Sequence, residues 1–254
     1  MAATHNQTIV DQFTKMAIPF GQMHSDEEST KLLIEASGVS AQDSVLDVAC
    51  GPGLVACAFA AVADRVTGID ITPAMIDEAK RRQAEKGLSN IDWRIGDVAH
   101  LPFPDGTFSI VLSRYALHHM VDPAVTLREM ARVCQRGGGV VIADVFVSNA
   151  DQDRTYNQME KLRDHSHVRA LPLDELVTAF QDAGLRLDHR AFYRFPVDVD
   201  HLLRASCTSS TAAEQVRKII SDDIGIDRLG IMAHRQGEIL RMSFPVVVLA
   251  GKKL

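Results

Sequence analysis

The chain is poor in the features that mark secreted, redox-active or membrane-spanning proteins. Its four cysteines, Cys50, Cys57, Cys134 and Cys207, share no Cys-x-x-Cys spacing, and four in 254 residues are too few for a disulfide framework. They read as reduced thiols, mostly buried, and a thiol-based activity is not favoured. Eighteen uninterrupted apolar residues occur nowhere, and Met1 to Phe20 has neither a long apolar core nor a small-residue cleavage pattern. The expectation is a soluble, cytoplasmic protein with no membrane insertion. A basic stripe is also missing. The 27 Lys and Arg are scattered among 33 Asp and Glu, for a net charge of −6, which argues against nucleic acid as a partner. No internal repeat or low-complexity tract is present.

What the chain does have is a 46% hydrophobic content, enough for one large α/β core with an added cap. Short β-rich runs at Ser44 to Val48, Arg65 to Ile69, Ile91 to Ile95, Phe108 to Leu112 and Val140 to Phe146 alternate with helical ones, the pattern of a parallel sheet. The spacing predicts a helical N-terminal lid over residues 1–40, with a linker at Pro19 and Gly21. It predicts an α/β core over 41–198 with a loosely patterned lid insertion around 149–172, a substrate cap over 199–238, and a final core strand over 239–254.

Ligands in open α/β sheets bind beyond the carboxyl ends of the strands, so the residues that follow each run matter most. Val45-Leu46-Asp47-Val48-Ala49-Cys50-Gly51-Pro52-Gly53 runs from an apolar strand through an acid into a glycine turn. The glycines permit close backbone approach, but Asp47 would repel a pyrophosphate and favour the ammonium and sulfonium charges of S-adenosylmethionine (SAM). Asp70, ending the second run, is placed to accept hydrogen bonds from both ribose hydroxyls. Asp97, after the third, offers a carboxylate to the adenine amine, with Ile71, Met75 and Val98 sandwiching the ring.

Together these elements, with Gly-Ile-Asp at 68 to 70, Gly-Asp at 96 to 97, the Phe108 to Arg114 strand and Leu-His-His at 117 to 119, resemble the class I SAM-dependent methyltransferases. The likeness is to the small-molecule branch that includes ubiquinone and menaquinone C-methyltransferases, and it spans roughly Ser44 to Phe146. It implies a Rossmann-like α/β sheet of seven strands, the last antiparallel, with helical cap elements and a hairpin-like return near Arg235-Gln236-Gly237. It also implies that SAM is the cofactor and S-adenosylhomocysteine (SAH) the product, with Ser113 and Arg114 presenting backbone groups to the methionine portion. The cofactor set is thus Asp47, Ala49, Gly51, Gly53, Asp70, Ile71, Met75, Asp97, Val98, Ser113 and Arg114.

Transfer to a hydroxyl or acidic carbon needs a base. His118 and His119 follow the fourth run and Asp144 ends the fifth, so sheet adjacency makes them a candidate base and orienting group. A similar His-His pair with an acid on the next strand resembles natural-product sugar O-methyltransferases. Phe20, Arg163, His165 and Arg169 are the substrate candidates, although the alternating charges over Glu160 to Arg169 read as a solvated helix face. No metal site is expected, because His165-x-His167 lacks a completing ligand. The acceptor is expected to be a small metabolite, methylated at O, N or C, and a homodimer is possible. A non-methylating SAM-dependent catalyst of the cyclase or decarboxylase type, a SAM-binding regulatory module and a nucleotide-binding oxidoreductase stay open as alternatives.

Overall fold

The computed structural model describes the backbone of residues 2–22 and 27–254, and side chains over 4–18 and 28–254. Two helices, α1 (Ala2–Gln22) and α2 (Glu27–Ser37), precede the sheet. Strands and helices then alternate: β1 (Ser44–Val48), α3 (Leu54–Phe59), β2 (Arg65–Asp70), α4 (Pro73–Glu85), β3 (Ile91–Ile95), β4 (Phe108–Arg114), a 3₁₀ turn (Leu117–His119), α5 (Pro123–Val133) and β5 (Cys134–Val145). The second half comprises α6 (Ala150–Arg163), α7 (Leu173–Asp182), β6 (Leu185–Asp198), α8 (Val199–Ala205), α9 (Ser210–Asp222), β7 (His234–Gln236) and β8 (Ile239–Lys253).

The principal sheet order is β3-β2-β1-β4-β5-β8-β6, with the first five strands parallel and β8 running antiparallel between β5 and β6. This is the sheet the resemblance implies, and the expected return at Gly237 is the β7–β8 hairpin. Every residue of β1 is buried because helices cover both faces. Val45 joins one core with Phe59 and Leu112, while Leu46 and Val48 join the other with Ile142 and Phe180. Chain order reverses across β1, whose neighbours are β2 and β4, and the crevice at that switch point is where the acids of the strand ends converge.

Two local readings are corrected. The residues at Pro19 and Gly21 form no linker, since α1 continues to Gln22. A proline there withholds the N–H that would bond the carbonyl four residues back. That carbonyl, on Lys15, instead accepts from the Cys207 thiol at 3.7 Å. Gln12 Nε2 donates to Ser206 O at 2.8 Å, so the region after α8 ties down α1 at two points. Nor is the stretch after Phe146 loose. Asn149 accepts from the N–H groups of Asp151 and Gln152 and starts a regular helix, α6.

The glycine turn rests on the sole tryptophan, Trp93 of β3, whose indole N–H donates to Gln83 Oε1 at 2.6 Å. A Cβ on Gly68 would lie 2.6 Å from Trp93 Cε3, and one on Gly53 2.7 Å from Cη2. Gly68→Ala is therefore expected to destabilise the fold by roughly 1–3 kcal/mol through overpacking. Thermal unfolding measures it, and an unchanged melting temperature would show that the indole yields.

Candidate active site

A cavity of about 500 Å³ opens at the carboxyl ends of the parallel strands, with Ile9, Phe13 and Met16 of α1 forming one wall. In its first half the backbone after β1 turns left-handed at Ala49 (φ 56°), Gly51 (φ 51°) and Gly53 (φ 74°). Such angles favour glycine, and the non-glycine Ala49 marks a strained strand end. Asp70 holds this turn. Its Oδ2 accepts from Gly51 N at 2.9 Å and its Oδ1 from Thr72 N at 2.8 Å. Burial raises its pKa against the pull of those N–H groups.

Asp47 is 2% exposed, and its Oδ2 meets no hydrogen-bond partner among the described residues. Burial pushes its carboxyl up to about 7, although the Arg114 charge opposes the shift. Ile71, Met75, Asp97, Val98 and Ala49 join Asp47, Gly51, Asp70 and Arg114 in lining the cavity. Gly53 and Ser113 lie behind that wall. The Ser113 hydroxyl donates to Val48 O at 2.8 Å, linking β4 to β1. Arg114 aims its guanidinium at α2, donating to Ser29 Oγ at 2.8 Å.

In the second half, the fourth and fifth strand ends bring His118 and Asp144 together. Nδ1 of His118 lies 2.5 Å from Asp144 Oδ1. The carboxylate also accepts from Leu117 N at 2.6 Å and Val145 N at 2.7 Å, which fixes its orientation. Because a carboxylate only accepts, Nδ1 carries the hydrogen, leaving Nε2 as the basic nitrogen on a ring that lines the cavity. Burial lowers the pKa of His118, but the charge and hydrogen bond of Asp144 outweigh it and the net shift is upward.

His119, with its ring centroid 4.1 Å from that of His118, is arranged differently. The Ser166 hydroxyl donates to Asp164 Oδ1 at 2.6 Å and so accepts from His119 Nδ1 at 3.1 Å. Burial, reinforced by His118, pushes His119 down to about 3, so it stays neutral.

Glu160 and Arg163 do not lie on a solvated face. Both are buried and line the cavity, with Arg163 Nε donating to both Glu160 oxygens at 3.1 Å and Nη1 donating to Ser206 Oγ at 2.6 Å. Arg163 thus reaches the cavity already engaged. Of the other substrate candidates, His165 is exposed and Arg169 pairs with Asp153 at 2.6 Å and Glu175 at 2.8 Å, both away from the cavity. The side chain of Phe20 lies outside the described residues.

Sequence reasoning missed two groups on α1. Asn6 Nδ2 donates to Asp97 Oδ2 at 2.9 Å, and His5 Nε2 donates to the His119 carbonyl at 2.8 Å. Their signal was present only as polar residues one turn before Ile9, on the face otherwise read as apolar. Also missed were Tyr156, Phe195 and Phe244, which line the second half.

A family model described as "Methyltransferase domain" matches residues 46–142. An uncharacterized methyltransferase of Bacillus subtilis, YcgJ, is 28% identical over 241 residues, covering 91% of this chain and 95% of its own. The crystal structure of YcgJ superposes with a TM-score of 0.83 at 27% identity, covering 89% of this chain and 98% of that one. The uncharacterized YafE of Escherichia coli is 31% identical, over 60% of this chain and 74% of its own. The 27-O-demethylrifamycin SV methyltransferase of Amycolatopsis mediterranei is 30% identical, over 63% and 61%.

Proposed function

The chain belongs to the class I SAM-dependent methyltransferases, and we propose that it methylates a hydroxyl oxygen of a small, largely apolar acceptor. SAM fits the first half of the cavity on one structural ground above the others. The buried oxygen of Asp47, without a partner among the described residues, calls for a cationic or donor-bearing ligand, and the adjoining Gly51 presents no side chain to obstruct it. In this reading Asp70 holds the ribose, Asp97 and Val98 the adenine edge, Ile71 and Met75 its faces. The Ala49 turn and the backbone of Ser113 and Arg114 hold the methionine end. SAM, when bound, supplies a methyl group already activated by its sulfonium, leaving the protein to align the acceptor and exclude water.

The observation that carries the choice of oxygen is the 2.5 Å contact between His118 Nδ1 and Asp144, which turns the other ring nitrogen into a base. As the acceptor oxygen takes the methyl group, His118 Nε2 accepts the hydroxyl proton, and Asp144 stabilises the resulting imidazolium. His119, held neutral, packs its ring beside that of His118. A relative named for methylating 27-O-demethylrifamycin SV supports oxygen as the target atom.

Incubation with methyl-labelled SAM and a panel of phenols, alcohols, amines and thiols tests this. Label is expected in extractable products of the hydroxyl compounds. Label confined to amines or thiols, or absent from every product, would overturn it.

A further inference from the structure

We propose that Tyr156 is a specificity determinant of the acceptor half. The acceptor it selects is a neutral, ring-bearing molecule whose second oxygen, remote from the reacting hydroxyl, accepts a hydrogen bond from the phenol. This rests on the reading that the second half of the cavity binds a hydroxylated acceptor.

Tyr156 of α6 is 1% exposed and lines the cavity, yet its hydroxyl makes no hydrogen bond to any described residue. The hydroxyl is not sealed in the interior but reaches the cavity, where a phenol without a protein partner is open to a bound molecule. The neighbouring charges are already satisfied. Glu160, one helical turn on, accepts from Arg163 through both oxygens, and Asp164 accepts from Ser166 N at 2.9 Å and Ser166 Oγ at 2.6 Å. A charged acceptor would thus meet occupied ions at this end, whereas a neutral oxygen meets an open donor. Burial, followed by the Glu160 charge, raises the phenol pKa well above its ordinary value, so Tyr156 remains protonated.

The surroundings favour a flat ring. Phe195 stacks on Tyr115 at 6.1 Å and on Phe244 at 6.4 Å, all three lining the cavity. The rings of His118 and Tyr156 both lie against His167, at 5.5 and 6.4 Å, so one small molecule spans base and phenol.

The test uses the full chain saturated with SAH and two calorimetric probes, 6-acetyl-2-naphthol and 6-ethyl-2-naphthol, which differ in the accepting oxygen. Wild type is expected to bind the acetyl compound about tenfold more tightly, the equivalent of one hydrogen bond. Tyr156→Phe is expected to abolish that preference and leave SAH affinity unchanged. Its ligand-free melting temperature should stay level or rise by about 2–4 °C, because no native hydrogen bond is lost. Equal binding of the two probes to wild type, no binding of either, a preference that survives in the variant, or a lowered melting temperature would overturn the proposal. Since binding is read without turnover, a probe bound with the expected preference but never methylated would fault the methyl-transfer reading instead.

Discussion

His118→Ala is expected to lower kcat by about 10² to 10⁴-fold, the usual range for a lost general base, while leaving SAM affinity within a factor of two or so. The separation follows from the geometry, because the imidazole lines the second half of the cavity and is held by Asp144, not by the glycine turn. A pH profile adds a test that a packing role would not pass. The base must be unprotonated, so kcat should rise with pH, and its midpoint should lie above 6.5 because Asp144 raises the His118 pKa. Asp144→Asn removes the stabilising charge from the imidazolium, so the midpoint should move to lower pH even as the plateau falls. A variant with an unmoved midpoint, or an alanine variant of full activity, would return both residues to a structural role.

Asp47→Asn is expected to weaken SAM binding by about 10 to 100-fold at pH 8, the scale on which a desolvated charge partner is lost. In wild type the carboxyl titrates at about 7. Ionisation above that pH creates the negative charge that a cation needs, so affinity should increase with pH through neutrality, being about tenfold lower at pH 6 than at pH 8. The asparagine variant should lose this dependence. Stability should respond in the opposite sense. A carboxyl whose folded pKa exceeds the unfolded value of 3.8 destabilises the ligand-free fold progressively as pH rises from 3.8 through about 7. At pH 8 the ligand-free variant should accordingly melt higher than wild type while binding SAM less well. Calorimetric titration and thermal melts over pH 5–9 check both, and parallel losses of stability and affinity would mean that Asp47 serves folding alone.

The first half of the cleft was legible because its information is local. Each acid stands at a strand end, and the glycine turn beside Asp47 belongs to one nine-residue stretch. The pairing of His118 with Asp144 was legible for a related reason, since adjacent parallel strands bring their carboxyl ends together. The lid was not. Asn6 meets Asp97 across 91 positions and His5 meets the His119 carbonyl across 114, and nothing in the spacing of α1 encodes either contact. Glu160 and Arg163 were misread for a different reason. An acid and a base three residues apart look alike on an exposed helix and in an interior, and only the packing of α6 under the cavity distinguishes them. The Lys15 carbonyl that Pro19 leaves without a helical donor likewise meets a thiol nearly two hundred residues away.

Because the chain has one indole, set beneath the glycine turn and touching the ground that Gly53 and Gly68 leave clear, its emission is expected to report on that turn. If SAM seats on that turn as proposed, excitation near 295 nm gives a label-free optical signal for its uptake that changes in the second half of the cavity should scarcely disturb. The order in which the two ligands enter can then be timed by stopped flow in the unmodified protein.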